Sequence, residues 1–193
     1  TTRASIRCYD MRVSTDYNDN CLVIDEPPVK NSEFAFALGI LTDIEFTKNG
    51  KYIVTRDFVR TKVYDIAMPN KPITNFRVYD SIMPKLSELH ENYLIPDSFK
   101  VATSSCSNFV ATGMYNNNLH IADINTAQNY QYQLNSSKKT ICRLMPVQDN
   151  SKQFEPLPEN YNYNRKVLKV AWHPKSKTVA AAVLGSLYML NSV

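Results

Sequence analysis

The sequence predicts an all-β chain built from repeated antiparallel sheets. Three short runs that alternate apolar and polar residues each end on an aspartate, namely SIRCYD at Asp10, TKVYD at Asp65 and LHIAD at Asp123. Tyr and Phe are abundant, with 12 and 8 copies in 193 residues, and both suit a half-buried pleated surface. The second and third of these runs each follow two further strand-like runs, so the same unit recurs along the chain.

The first complete unit is predicted between residues 42 and 79. Its strands are expected at Thr42–Phe46, Tyr52–Thr55, Thr61–Asp65 and Ile73–Tyr79. The turn signal Lys48-Asn49-Gly50 separates the first two. The segment from Met68 to Pro72 is interpreted as a breaker before the fourth strand, because proline cannot donate to a sheet ladder.

The same order of strands returns twice. A second complete unit is predicted over 99–134, with strands at Phe99–Thr103, Asn108–Thr112, Leu119–Asp123 and Tyr130–Leu134. A final unit over 167–193 offers three strands, at Val167–Trp172, Thr178–Val183 and Leu187–Leu190, with Asn191 at the position of the aspartate and no closing strand. Residues 1–25 carry only the last strands of an incomplete unit.

A four-stranded unit whose third strand ends on Asp is typical of the blades of a WD-repeat β-propeller, which usually span about 40–45 residues. The landmarks at Asp10, Asp65, Asp123 and Asn191 are more widely spaced, so insertions must separate the blades. Helical spacing after Pro84 predicts a short helix over 81–91. A polar, proline-bearing stretch over 135–164 predicts a long loop.

The three aspartates are expected to anchor turns. A carboxylate that follows a strand can accept backbone N–H groups of the turn it begins. Asp10, Asp65 and Asp123 are therefore interpreted as structural residues and not as catalytic ones.

Composition and charge give no signature of a nucleic-acid-binding, membrane-spanning or zinc-binding protein. The net charge is +4, and the densest basic cluster, at Lys166, Lys169, Lys175 and Lys177, lacks the aromatic residues that stack on nucleic acid, so no nucleic-acid partner is expected. No apolar run approaches the roughly 20 residues that span a bilayer, so no membrane partner is expected either. The four cysteines show no zinc-ligand spacing and are expected to be reduced.

Sequence motifs of catalysis are missing. The chain contains no GxSxG, no Gly-rich phosphate loop and no HExxH. We therefore expect a protein that is not an enzyme and that needs no cofactor or metal ion.

Several motifs resemble one family. SIRCYDMR, DEP, DIEFTKNGKYIVTRDF, KVYDIAMPNKPI, KLSELHENYLIPDSF, TGMYNNNLHIAD and AWHPK occur in this order over nearly the whole chain. Together they resemble the WD-repeat B-type regulatory subunits of protein phosphatase type 2A. The resemblance implies the carboxy-terminal part of such a subunit, about three and a half blades of a seven-bladed ring.

The resemblance also implies a function. Family members join a helical-repeat scaffold subunit to a Ser/Thr phosphatase catalytic subunit, select phosphoprotein substrates with one face of the propeller, and occur in the cytoplasm and nucleus. The alternative is a generic WD-repeat scaffold of another complex, such as a ubiquitin-ligase receptor. Because an arc of blades leaves open sheet edges, self-association of the chain is also expected.

Candidate contact residues follow from the propeller geometry. The loops that join second to third strands place Arg56 and Asp57, and Tyr115, Asn116 and Asn117, on one rim, where an extended peptide can bind. The alternatives are that Arg56 and Asp57 pair with each other or with the next blade, and that the Tyr-Asn-Asn run is only a turn. Cys8 departs from the leucine that the family carries near its substrate groove. On the binding interpretation, Tyr115→Ala weakens peptide binding without lowering thermal stability.

Overall fold

The computed structural model describes residues 5–10, 12, 22–25, 34, 38–91, 97–135, 141–145 and 161–191. These residues form four antiparallel sheets that follow one another along the chain. Sheet A consists of β1 (Ser5–Cys8) and β2 (Leu22–Asp25). It packs against the sheet that follows.

Sheet B has four strands in chain order, β3 (Asp43–Phe46), β4 (Tyr52–Arg56), β5 (Arg60–Asp65) and β6 (Met68–Arg77). The last strand differs from the prediction, because the segment from Met68 to Pro72 belongs to β6 and is not a breaker. Proline is tolerated here since β6 lies at the sheet edge, and the pairing of β5 with β6 shifts register around Tyr64.

Sheet C contains one strand more than the sequence predicts. Its five strands are β7 (Val101–Thr103), β8 (Phe109–Gly113), β9 (Asn118–Asp123), β10 (Asn129–Gln133) and β11 (Ile141–Met145). The prediction of a loop over 135–164 is wrong for Ile141–Met145, which pairs with β10 along its whole length. The pairing satisfies backbone groups that would otherwise lie at an open edge. Residues 136–140 and 146–160 lie outside the described part of the chain.

Sheet D has three strands, β12 (Val167–Trp172), β13 (Thr178–Val183) and β14 (Ser186–Asn191). Small residues at Ala180, Ala181 and Ala182 line the middle strand. The side chains of Val179, Ala181 and Val183 are buried against sheet C.

The short helix predicted between sheets B and C is present in two parts. A 3₁₀ helix (Asp80–Lys85) holds Pro84, and α1 (Leu86–Glu91) continues from it. Ile82, Leu86 and Leu89 recur at helical spacing, and each is at most 4% exposed. They anchor the insertion to a core that includes Phe58, Tyr79, Phe99 and Tyr115.

Sheets B, C and D are joined at their first strands. Strand β3 of sheet B contacts β7 of sheet C, and β7 contacts β12 of sheet D. At the first of these joints Asp43 accepts the Val101 N–H at 2.8 Å, and Glu45 accepts the Thr103 N–H at 3.2 Å. Separate apolar clusters fill the space between each pair of neighbouring sheets. The described residues therefore form part of a β-propeller, which confirms the predicted fold class.

The joint between sheets C and D leaves no room for a side chain at Gly113. A Cβ built there would lie 1.6 Å from the carbonyl oxygen of Val167, which is main chain and cannot rotate away. We expect Gly113→Ala to lower the free energy of unfolding by about 1–3 kcal/mol or more, because the two sheets must move apart. Urea denaturation measures this.

A matched control is Gly185→Ala in the β13–β14 hairpin, where a Cβ meets nothing within 4 Å. That variant should unfold within about 0.5 kcal/mol of the native chain. Equal stability of the two variants would contradict the close approach of sheets C and D.

Candidate functional site

The three aspartates that mark the repeats make the same local contact. Asp65 accepts the Ala67 N–H at 2.9 Å, and Asp123 accepts the Asn125 N–H at 2.8 Å. Asp10 accepts the Arg12 N–H at 3.0 Å and also forms an ion pair with the Arg12 side chain at 2.7 Å. In each case the carboxylate binds the N–H of the residue two positions on, as expected of an aspartate that begins a turn.

Arg56 lies in the interior and not on the surface. Its side chain is fully buried, and its guanidinium carbon lies 5.5 Å from the ring centroids of both Tyr79 and Phe99. The guanidinium donates to the carbonyl oxygens of Asp57 and Arg60 and to Thr112 Oγ1 of the neighbouring sheet. Burial lowers the pKa of Arg56, although nearby Tyr79 and Asp57 oppose this effect. Arg56 therefore ties two blades together and cannot meet a peptide.

Asp57 holds the turn of the same hairpin. Its Oδ1 accepts the N–H groups of Val59 at 2.8 Å and Arg60 at 2.6 Å. Its other oxygen lies 3.5 Å from Lys62 Nζ. Burial raises the pKa of Asp57, and the charges of Lys62 and Arg56 act in the opposite direction. With 6% exposure, Asp57 stabilises the loop and has little surface to offer a ligand.

Tyr115 is the centre of an aromatic cluster. It is fully buried, and its ring lies 5.0 Å from that of Phe99 and 5.4 Å from that of Tyr79. Its hydroxyl donates to Asp97 Oδ2 at 2.6 Å, and Lys166 binds the other oxygen of Asp97 at 2.7 Å. Burial raises the pKa of Tyr115, and the hydrogen bond to Asp97 acts in the same direction. The expectation that Tyr115→Ala leaves thermal stability unchanged is therefore wrong.

Asn116 and Asn117 form the tip of the next hairpin. Both have positive φ angles, of 57° and 56°, which asparagine tolerates better than most residues. Their N–H groups donate to the carbonyl oxygens of Asn162 and Arg165, both at 3.1 Å. Asn117 is 9% exposed, whereas Asn116 is half-buried and is the more accessible of the pair.

Cys8 lies apart from the other candidates. It is half-buried at the end of β1, packed against the core between sheets A and B. Cys106, in the turn between β7 and β8, is a free thiol. The structure therefore brings together Arg56, Asp57, Tyr115, Asn116 and Asn117 but not Cys8.

We call residues 56–60, 114–118 and 161–166 the hairpin rim, because contacts between them make one surface. The rings of Phe58 and Tyr115 lie 6.3 Å apart, and the backbone of 161–166 binds the 114–118 hairpin. Arg60 and Arg165 are the exposed cations of this surface, and sequence reasoning missed both. Only their positions could have indicated them in the sequence. Arg60 lies at the end of the turn that Asp57 anchors, and Arg165 directly precedes Lys166, which binds Asp97.

No metal centre is found where the structure describes the chain, because no group of three or more His, Cys, Asp or Glu side chains converges there. Within the same residues, no helix has the length and apolar character needed to cross a bilayer. The two exposed arginines of the hairpin rim offer guanidinium groups, which form charge-assisted hydrogen bonds with anionic oxygens.

Removing the Tyr115 hydroxyl should test the aromatic cluster. Tyr115→Phe deletes the donor to a carboxylate that is largely buried, so the free energy of unfolding should fall by about 1.5–3 kcal/mol. Tyr130→Phe is the control, because its hydroxyl bonds Gln128 at an exposed position. We expect that variant to unfold within about 0.5 kcal/mol of the native chain. Two equally stable variants would contradict the contact with Asp97.

A buried histidine should make the stability depend on pH. Burial lowers the pKa of His120 to about 3, the charge of Arg56 acts in the same direction, and an interaction with Asn129 opposes it. In the unfolded chain histidine binds its proton near pH 6.5, so unfolding takes up a proton between about pH 6.5 and 3. Stability should fall as the pH falls through this range, by up to about 1.4 kcal/mol per unit from this group.

The measurement is urea denaturation of native chain and His120→Gln between pH 7.5 and 4.5. The variant should lose less stability on acidification, while the two chains keep parallel profiles above pH 7. Parallel profiles throughout the range would show that His120 binds its proton equally well in the folded and unfolded chains, and would contradict a lowered pKa.

Comparison with known proteins gives relatives in one group. No family model matches the chain. The Ser/Thr-protein phosphatase 2A regulatory subunit phr2AB of Dictyostelium discoideum is 30% identical over 200 residues, which is 98% of this chain and 41% of that protein. The B-beta isoform of the 55 kDa regulatory subunit of Ser/Thr-protein phosphatase 2A, from Carassius auratus, is 30% identical over 198 residues, 99% of this chain and 45% of its own length. The chain thus spans less than half of either relative.

Two solved structures show a weaker likeness. Dihydro-heme d1 dehydrogenase NirN, in complex with DHE, has a TM-score of 0.44 at 16% identity, over 77% of this chain and 24% of its own. The WD40 repeats of RRP9 give a TM-score of 0.42 at 10% identity, over 73% of this chain and 32% of theirs. At these TM-scores neither likeness bears on function.

The sequence relatives match almost every residue of the chain, and the described sheets form the partial propeller that the repeated motifs predict. The resemblance carried by those motifs is therefore confirmed: over almost its whole length this chain is similar to part of the regulatory B subunits of protein phosphatase 2A.

Proposed function

We propose that this chain acts within a regulatory subunit that selects phosphoprotein substrates for a Ser/Thr phosphatase. The subunit joins a helical-repeat scaffold and a separate catalytic subunit, and it works in the cytoplasm and the nucleus without a catalytic centre of its own. The observation that carries this proposal is the 30% identity to two regulatory subunits over 98% and 99% of the chain.

The charge of the hairpin rim supports the choice of substrate class. Asp57 is the single carboxylate within the rim segments, all of which the structure describes, and it is buried beside Lys62. Asp97 lies beneath the rim and binds Lys166. These two carboxylates are paired, and the exposed arginines Arg60 and Arg165 offer guanidinium groups, which bind phosphate well.

The ordered structure of the hairpin rim also supports the proposal that a peptide binds there. Arg56 and Tyr115 do not contact the substrate in this proposal but fix the hairpins that carry Arg60 and Asn116. A loop that is already ordered loses little conformational freedom when a peptide binds. Direct contacts are assigned to Arg60, Asn116 and Arg165, in place of the buried residues that the sequence suggested.

The test uses the full-length regulatory subunit assembled with its scaffold and catalytic subunit. Reversing two exposed charges, with Arg60→Glu and Arg165→Glu together, should raise KM for phosphoserine peptides several-fold and leave kcat unchanged. Lys71→Glu on β6 is the matched control, since Lys71 is exposed near the opposite end of sheet B. An unchanged KM in the double variant would exclude the rim as the substrate surface.

A second experiment separates the proposal from a generic WD-repeat scaffold. The tagged full-length subunit should co-purify with a Ser/Thr phosphatase catalytic subunit and a helical-repeat scaffold. Recovery with ubiquitin-ligase components and no phosphatase would favour the alternative function.

A further inference from the structure

The hairpin between β13 and β14 holds a leucine in an unfavourable backbone conformation. Val183 pairs with Ser186, so Leu184 and Gly185 form a two-residue turn. Leu184 has a φ angle of 51°, in the left-handed region where the Cβ of an L-residue crowds the following carbonyl oxygen. Gly185, which tolerates that region readily, does not have a positive φ. A bulky residue therefore stands where hairpin turns prefer glycine or asparagine.

The other positive φ angles of non-glycine residues in the described chain belong to small or turn-forming side chains. They are found at Ser107, Asn116, Asn117 and Ala127. Asparagine adopts this region more readily than most residues because its short polar side chain can bond the nearby backbone. Serine and alanine carry little bulk. Leu184 is the one large apolar residue of the set.

Packing within the described chain does not explain this leucine. Leu184 is 78% exposed, the highest value among the large apolar residues that the structure describes. None of the four apolar clusters of the described residues includes it. Exposed apolar residues are common on proteins. One that also strains the backbone lowers the stability of the folded chain, and strain of this kind is concentrated at binding surfaces.

The turn at Leu184 lies on the same side of the propeller as the hairpin rim. It joins the second and third strands of sheet D. Residues 56–60 and 114–118 of the hairpin rim join the corresponding strands of sheets B and C. Equivalent turns of successive blades share one side of a propeller, because each blade repeats the same order of strands around the axis.

Strand pairing in sheet D brings the leucine close to two cations of the hairpin rim. Val167 pairs with Val183, so one step outward along both strands Lys166 stands beside Leu184. Arg165 precedes Lys166 and is exposed. Side chains one residue and one strand apart are separated by about 6 Å. An exposed apolar side chain and an exposed guanidinium group therefore flank the same stretch of surface.

We propose that Leu184 contacts an apolar side chain of the phosphoprotein substrate, two residues away from the phosphate that Arg165 binds. This inference rests on the proposed function and narrows the substrate class to phosphorylated segments with a bulky apolar residue near the phosphate. Two residues of an extended peptide span about 6.5 Å, similar to the spacing of the two side chains, and they point to the same side. Burial of the leucine in the complex then offsets the backbone strain.

The experiment measures KM with the full-length regulatory subunit assembled with its scaffold and catalytic subunit. The probes are two phosphoserine peptides, one with the core Leu-Gly-pSer-Gly-Leu and one with serine in place of both leucines. Leu184→Asn should raise KM about five-fold for the first peptide, because an apolar contact is lost, and leave it unchanged for the second. Met68→Asn is the control, since Met68 is 71% exposed at the opposite end of sheet B and should affect neither peptide.

The Tm of the same full-length subunit distinguishes substrate binding from a role in folding. Asparagine fits the left-handed region better than leucine, so Leu184→Asn should keep the native Tm or raise it by up to about 1 °C. A fall in Tm would assign Leu184 to packing within the full-length subunit and overturn the proposal. A KM that rises equally for both peptides, or for neither, also contradicts it.

The charge-reversed variant of the hairpin rim keeps this proposal distinguishable from the proposed function. If Arg60→Glu with Arg165→Glu raises KM while Leu184→Asn leaves KM for the leucine peptide unchanged, the proposed function stands and the apolar contact is wrong. If the double variant leaves KM unchanged for both peptides, the hairpin rim is not the substrate surface and both proposals are wrong.

Discussion

The joint between sheets B and C depends on how sheet B satisfies the first strand of sheet C. The N–H groups of Val101 and Thr103 lie on the edge of β7 that does not pair with β8, and they donate to the carboxylates of Asp43 and Glu45. A buried N–H without a partner costs about 1–3 kcal/mol, so these two side chains do more than add polar contacts. They remove the penalty of bringing two strand edges together, and the apolar clusters on either side can then close.

The same constraint explains why the hairpin rim is rigid. Where first strands converge, the hairpins above them converge as well, and Arg56 of one blade reaches Thr112 of the next. A buried cation is tolerated when aromatic rings and carbonyl oxygens replace water, as Tyr79, Phe99 and the carbonyls of Asp57 and Arg60 do here. The accessible residues of the hairpin rim are therefore held in place by residues that are buried beneath them.

The strands could be predicted from the sequence, because the alternation of buried and exposed residues is local. The burial of Arg56 and Tyr115 could not be predicted, because it depends on segments that are distant in sequence, such as 161–166 and Asp97.

Two features of the strands could not be predicted either. Strand β11 lies in a polar, proline-bearing stretch, and its sequence ICRLM forms a strand by pairing with the existing edge strand β10. The beginning of β6 was missed because the rule against proline in strands does not apply at an edge. The role of the turn aspartates could be predicted from the local sequence alone, because each accepts the N–H group of the residue two positions further along the chain.

Charge pairing beneath the rim limits what the surface can recognise. Lys62 and Lys166 pair with Asp57 and Asp97, so the charge that remains outward comes from two arginines. At physiological salt the field of an exposed charge decays over about 8 Å, and two cations cannot attract a distant acidic surface strongly. A guanidinium gains most from a phosphate in direct contact, where two parallel N–H groups meet two oxygens. Selectivity must then come from the shape of the rim around that contact, and this shape is set by the buried cluster of Arg56, Tyr79, Phe99 and Tyr115. On the proposed function, a change in the buried cluster should therefore alter which phosphopeptides bind, even where every exposed side chain is retained.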